Sequence, residues 1–230
     1  MANISVVVSN YNAGKEGILK ALMDSWCMQS VEATEYIVVD HNSSDNSVDV
    51  AMSYADRLPI RVVRKNDKLG RAPLTIGYGV DRCIGDIVII GHSDKIVRRD
   101  YIKVMTANLA GNEWRIPGEC YVGYDDVDAV LNTNVDNRWD YAHSVRMQAR
   151  HLKDGLHLRA AWTASFHKSN WNSGHLTDKR EYGPDDAFYQ SSLSNRGNVT
   201  RVEECLCIHL QHTRTCDKYY RHPTKTWRDK

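Results

Sequence analysis

The run His92-Ser93-Asp94 closes an apolar segment with an imidazole, a hydroxyl and a carboxylate. That combination suits the edge of a divalent-cation site. A hard ion bound to a diphosphate needs only one or two protein carboxylates, because phosphate oxygens and water complete its shell. Imidazole is acceptable to Mn2+. The bland alternative is a polar strand end at which Asp94 caps the next segment. Asp40 ends a second apolar segment, and Ser9-Asn10-Tyr11-Asn12 follow a third. A carboxylate there can accept from a nucleobase N–H or a ribose hydroxyl, and a tyrosine or a backbone amide can hold the base. Asn, Asp and Gly favour turns in any case, so each group alone reads as turn chemistry. Their coincidence at the ends of neighbouring strands favours a nucleotide.

Three further groups extend this chemistry. In Lys65-Asn66-Asp67-Lys68-Leu69-Gly70-Arg71, a loop enters a helix through Gly70. Helix starts attract phosphate, and Arg71 adds a permanent charge, with Asn66 at the loop's mouth. Asp185-Asp186 stand at a predicted helix start, either as dipole partners or as a general base raised by its neighbour. Cys205, Cys207 and His209 alternate along a predicted strand, which places them on one face. Zinc is conceivable there, but the spacing is not that of common zinc sites. The sharper expectation is that His209 or His212 joins Asp94 on a metal. Trp162 and Tyr182, with Trp139 and Trp171, could stack on a sugar ring, although such residues more often pack in cores.

These groups need a frame. Ile4 to Ser9, Glu35 to Asp40, Ile60 to Arg64 and Asp86 to Ile90 are short, β-branched runs that predict buried strands. Between them, Lys15 to Met28 carries Ile18, Leu19, Leu22 and Trp26 on one helical face. A second helix, capped by Ser44 or Asp45, presents Val48, Ala51, Met52 and Ala55. Gly70 to Cys83 and Asp100 to Leu109 complete the helices. Alternation of this kind implies an α/β fold with a mainly parallel sheet and right-handed crossovers. Ligands of such sheets bind beyond the carboxyl ends of the strands. After Ala110 the pattern becomes irregular. Val122 to Trp139, rich in Asp and Asn, reads as a loop or flap, Leu156 to Phe166 as strand, Pro184 to Asn195 as a short helix, and Val199 to Leu210 as an alternating strand.

The 230 residues suffice for one large domain. With 42% hydrophobic and 26% charged residues and a formal charge of +1, nothing signals a polyanion partner for the whole chain. The segment Arg214 to Lys230 differs, with six Lys/Arg against two Asp. It suggests a cover for a donor diphosphate, or a hold on an anionic acceptor, nucleic acid being the lesser alternative. No leader is read at the start. No apolar run approaches the roughly 20 residues of a membrane span. The six cysteines are scattered and read as reduced thiols in a cytoplasmic setting.

Taken in order, these pieces resemble the GT-A glycosyltransferases of family two. The resemblance rests on Ile4 to Asn12 as the opening strand, Val38 to Ser47 as the family's acidic loop, and Asn66, Gly70, Ala72 and Gly77 leading to Gly85-Asp86 and His92-Ser93-Asp94. Asp185-Asp186 match its acceptor-side acid pair. It implies a GT-A fold, with residues 1–110 as a nucleotide-sugar half and 111–230 as an acceptor-side half of one continuous domain. It also implies a nucleoside-diphosphate sugar donor, most often UDP-linked, an acceptor hydroxyl on a glycan or similar molecule, and inversion at the anomeric carbon. Asp186 would be the base and Asp185 its fallback. Mn2+ or Mg2+ would sit on Asp94 with His92 and with His209 or His212, and Arg71, Arg98, Lys218 and Arg221 are candidates for phosphate contacts. The chain departs from the family pattern at His41, His92 and Asp185, where the family carries Asp, Asp and Glu. The competing classes are a nucleotidyltransferase and a non-catalytic module that binds sugar nucleotides or carbohydrate.

Overall fold

A computed structural model of the chain describes residues 2–66, 72–146, 163–171 and 198–210. Three parallel strands alternate with helices from the start: β1 (Ile4–Asn10), α1 (Ile18–Cys27), β2 (Glu35–Asp40), α2 (Ser47–Met52), β3 (Ile60–Arg64) and α3 (Ala72–Val80). There follow β4 (Ile87–His92), a short β5 (Lys95–Val97), α4 (Tyr101–Thr106) and the long β6 (Glu113–Val122). Then come α5 (Tyr124–Asn132), α6 (Val135–Val145), β7 (Ser165–His167) and β8 (Asn198–Leu210). All eight join one sheet in the order β3-β2-β1-β4-β7-β6-β8-β5. The pairings β1–β2, β1–β4, β2–β3 and β6–β8 are parallel, so the α/β sheet is mostly parallel, as the alternation predicts.

The central strands β1, β2 and β4 are buried along both faces, which is why they read as continuous apolar runs. On one face α1 and α4 deliver Leu19, Leu22, Met23, Trp26, Ile102 and Met105. The Trp26 ring lies between Tyr36 and Tyr101, at 5.8 and 5.7 Å. On the other face Ile76 and Val80 of α3 pack with Trp114 and Phe166, whose rings stack at 4.0 Å. A third cluster joins Ile18 and Ala21 to Val127, Val130 and Ala142 of α5 and α6.

Two local expectations fail. The Asp- and Asn-rich stretch from Val122 to Trp139 is not a flap: it forms α5 and α6. Its polar residues are helix starts and outer faces. Asp125 and Asp126 occupy the first turn of α5, where the helix dipole favours them. Asn134 caps α6, its side chain accepting from the Asp136 N–H at 2.9 Å. Arg138 then ties α6 to α1 through Asp24 at 2.8 Å. In α2, Asn46 holds the cap position without a side-chain bond, while Asp45, one residue earlier, accepts from the Ser47 N–H at 3.0 Å as a cap would; Met52 and Ala55 face solvent. The buried face is Ser47, Ala51, Tyr54 and Leu58, because the helix stops at Met52 and the turn after it redirects the chain.

The register of β6 against β8 is interrupted. Ile116 pairs with Arg201 but Gly118 with Cys205, and Glu119 already with Cys207. Pro117 offers no N–H to a ladder, so the neighbouring strand bulges past it. Gly118 is obligatory there, since a Cβ would lie 2.1 Å from the Glu204 carbonyl oxygen. The bulge changes which side chains share a face. Cys207 packs in the first apolar cluster and Cys205 in the third, so the expected alignment of Cys205, Cys207 and His209 does not occur. The zinc reading falls with it.

Candidate functional site

Strand β1 lies between β2 and β4, and its register pairs Asn10 with Asp40 and Ser9 with His92. Asp40 and His92 therefore flank the carboxyl end of β1, two strand spacings or roughly 10 Å apart. Asp94 follows two residues beyond His92. The groups singled out at the three strand ends thus lie along one edge of the sheet.

The acidic loop after β2 is largely engaged in shaping this edge. Asp40 is 2% exposed. Its Oδ1 accepts from the Asn10 side-chain amide at 2.8 Å and from the Ser43 hydroxyl at 2.5 Å, and its Oδ2 accepts from the Ser43 N–H at 3.2 Å. Asn12, in the left-handed region at φ 52°, accepts from the Ser44 and Asp45 N–H groups at 2.7 and 3.3 Å. Asp45 accepts from the Gly14 and Lys15 N–H groups at 3.0 and 3.3 Å. Burial would raise its pKa, but the Ser47 hydroxyl and these amides hold it below the usual carboxylate value. Gly14 admits no side chain, since a Cβ would meet Ser47 N at 2.7 Å. In the sequence Asp45 reads only as a helix cap and Ser43 has no role of its own, although their spacing from Asp40 is the signal of a side-chain-bonded turn.

What this loop holds up to solvent is aromatic. Tyr11 is 59% exposed, and the His41 ring stands 6.2 Å from its own at a 55° tilt. Asn66 is exposed at the end of β3. Two rings and an amide therefore line the rim above β1, β2 and β3.

At the β4 side, the Ser9 hydroxyl and His92 Nδ1 share a hydrogen bond of 2.9 Å. The Ser93 N–H donates to the Ser9 carbonyl at 3.2 Å. The Asp94 carbonyl accepts from the Leu210 N–H at 2.8 Å, which brings the end of β8 against this turn. His209 Nε2 then lies 3.2 Å from Asp94 Oδ2. Burial works against a charged His209, but the Asp94 carboxylate outweighs it and holds the imidazole pKa above its ordinary value.

Two donors bound to one small divalent ion at about 2.1 Å, at right angles, stand about 3 Å apart. The Asp94–His209 separation fits such an edge, and carboxylate plus imidazole is a donor set that Mn2+ accepts. Among the described residues no three His, Cys, Asp or Glu side chains form a metal-binding group. His92, expected beside Asp94, shares its Nδ1 with the Ser9 hydroxyl. Arg98, expected on phosphate, is engaged by Asp100 at 2.6 Å and Glu204 at 2.8 Å.

Beneath this edge lies a pair that the sequence did not announce. Lys95 Nζ meets Glu119 Oε2 at 2.7 Å, with both side chains 5% exposed or less. Burial opposes the ammonium, and Glu119 overcomes it, keeping the Lys95 pKa above the ordinary lysine value. The only available signal was a lysine opening the apolar triplet Lys95-Ile96-Val97 and a glutamate inside the β6 run. Gly70, Arg71, Trp162, Tyr182, Asp185, Asp186 and His212 lie outside the described residues.

Residues 5–169 match the profile of a family described as glycosyl transferase family 2. Glycosyltransferase GlyG of Streptococcus pneumoniae serotype 4 is 30% identical over 128 residues, 54% of this chain and 41% of GlyG. Uncharacterized glycosyltransferase YibD of Escherichia coli K12 is 29% identical over 108 residues, 46% of this chain and 30% of YibD. The chain thus spans less than half the length of these curated relatives. Among solved structures, S. aureus TarS 1-349 in complex with UDP-GlcNAc aligns over 91% of this chain and 59% of its own, at a TM-score of 0.68 and 14% identity. The mannosyltransferase PcManGT from Pyrobaculum calidifontis, in complex with GDP-Man and Mn2+, aligns at a TM-score of 0.56 and 15% identity over 93% of this chain and 58% of its own. These two show a shared fold.

Proposed function

This chain belongs to glycosyltransferase family 2, and we propose that it moves a sugar from a nucleoside-diphosphate sugar, UDP-linked, to an acceptor hydroxyl with inversion. The observation that carries the reading is the alignment of Tyr11, His92, Asp94 and His209 along one carboxyl edge of the sheet. The solved relative bound to UDP-GlcNAc supports the choice of donor.

The nucleobase rests on the Tyr11 and His41 rim, while Asp40 keeps the underlying loop in shape. Asp94 and His209 would hold Mn2+ or Mg2+, which supplies Lewis-acid stabilisation of the departing diphosphate. The solved mannosyltransferase with Mn2+ supports that assignment. Asp186 takes the proton from the acceptor hydroxyl as its oxygen attacks, with Asp185 as the fallback base, and the transition state has oxocarbenium character. Trp162 and Tyr182 face the acceptor in this reading, Arg71 with Gly70 meets the donor phosphates, and His212 stands near the metal. Residues 1–110 serve the donor and 111–230 the acceptor. No helix among the described residues is long and apolar enough to cross a membrane. The described cysteines are free thiols, which supports a reducing, cytoplasmic setting.

Incubation with a panel of nucleotide sugars and Mn2+ tests the proposal. Release of free sugar and nucleoside diphosphate, accelerated by an acceptor, is the expected result. Pyrophosphate release would replace it with nucleotidyl transfer, and tight binding without turnover would replace it with a binding module.

A further inference from the structure

Lys95 and Glu119 are the deepest ion pair among the described residues, and the proposed chemistry does not use them. Taking both charges out of water costs several kcal/mol, and two well-packed apolar residues in their place would be equally stable or more so. Stability alone does not explain the pair. Its position does. Lys95 and Tyr121 pair directly with His209 on the strands either side of β8, and Glu119 pairs with Cys207, two residues earlier. Residues paired across strands, and those two apart along one, share a face. Lys95, Glu119 and His209 therefore project together. Glu119 Oε2 is taken by Lys95 at 2.7 Å, and Oε1 faces His209 Nδ1 at 3.7 Å. The opposite nitrogen of the same ring, Nε2, faces Asp94 at 3.2 Å.

We infer that Glu119, fixed by Lys95, is a positioning residue that aims His209 Nε2 at the Asp94 edge of the donor site. This rests on the reading of Asp94 and His209 as the metal edge. A ring nitrogen can offer its lone pair to a cation only if the proton resides on the other nitrogen; once a cation takes up the Asp94 charge that faces Nε2, the carboxylate facing Nδ1 favours this arrangement. Lys95 keeps the buried carboxylate compensated, and because it directly follows Asp94 in the chain, one turn places both. At 3.7 Å the Glu119 contact is electrostatic rather than a hydrogen bond. A ligand drawing Nε2 toward Asp94 would leave the Nδ1 proton directed at Glu119.

The test uses Glu119→Gln and the double variant Lys95→Met/Glu119→Met, which removes both charges so that neither is left buried alone. Mn2+ binding in the presence of UDP is read from the paramagnetic resonance of free Mn2+. His209 side-chain nitrogen shifts are read by NMR in the metal-free proteins. Both variants are expected to bind Mn2+ about 10- to 100-fold more weakly. The Nδ1 shift of His209 should move while backbone amides outside β6 and β8 stay in place. A double variant with wild-type Mn2+ affinity and unchanged His209 shifts overturns the inference. A wild-type protein that binds no Mn2+ overturns the metal reading alone, and the His209 shifts then decide the role of Glu119.

Discussion

Asn10 donates its side-chain amide to Asp40 at 2.8 Å, across the seam between β1 and β2. The contact makes the aspartate a strut of the loop. Ser43 meets both of its oxygens, and the group is almost fully enclosed. In the function proposed above, recognition of the base falls to what the strut raises above the surface, chiefly Tyr11, which is 59% exposed.

Replacement Tyr11→Ala should weaken UDP binding about tenfold or more, since stacking of one base on an aromatic ring contributes about 1–3 kcal/mol. Calorimetric titration with UDP measures it. Unchanged affinity would move the base away from this rim.

Asp186→Asn should lower transfer by about 10²–10⁴ while UDP binds as before, because a general base acts on the acceptor and not on the donor. The same change at Asp185 should cost less. Steady-state rates and UDP titrations on both variants separate the two roles, and wild-type turnover in Asp186→Asn removes that residue from the mechanism.

Asp94→Asn should reduce turnover by about 10²–10³, the usual effect of removing one electrostatic contact to developing charge. It should also abolish stimulation by Mn2+. A variant still stimulated by Mn2+ to the wild-type degree would place the ion elsewhere.

The acid stability of the fold should depend on Asp24. Burial raises its pKa, but Arg138, Tyr54 and Lys20 together hold it below the usual value. A carboxylate depressed in the folded state stabilises that state above its unfolded pKa of about 3.9, and the contribution fades as pH falls through the folded value. Asp24→Asn should cost about 2 kcal/mol at neutral pH. It should also flatten the loss of stability below about pH 4. Urea unfolding at several pH values checks this, and parallel pH profiles for the two proteins would refute it.

The central strands and the polar edge at their carboxyl ends were legible because burial on both faces leaves continuous β-branched runs, and because Asn, Ser and Asp gather where those runs end. What escaped was set by partners distant in sequence. Asp125, Asp126 and Asn134 signal loop or helix start equally well, and only the apolar stripe Val127, Val130 and Leu131, packing on the third cluster, decides for a helix. The role of Asp40 in holding its own loop stayed hidden because a sequence does not display that Asn10 will meet its oxygen. Lys95 and Glu119 stayed hidden because their meaning lies in a register between β5, β6 and β8 that no local pattern encodes.

Gly118→Ala follows from the same register. A Cβ directed at the Glu204 carbonyl cannot be absorbed by a flexible side chain, so backbone must shift. About 1–3 kcal/mol of stability should be lost. Thermal unfolding measures it, and an unchanged midpoint would mean that β8 tolerates a wider detour.

The bulge beside Pro117 and Gly118 also acts as a parity setting for the last strand. Odd and even positions of β8 exchange sides there, and the exchange sends His209 to Asp94 while Ile208 enters the apolar interior. Deleting a single residue between Arg201 and Cys207 would reverse that assignment, submerging the imidazole and presenting isoleucine to Asp94. Length in this short stretch is thus as consequential as the identity of the histidine itself, and variants of the chain that retain His209 but alter the spacing should behave as if it had been removed.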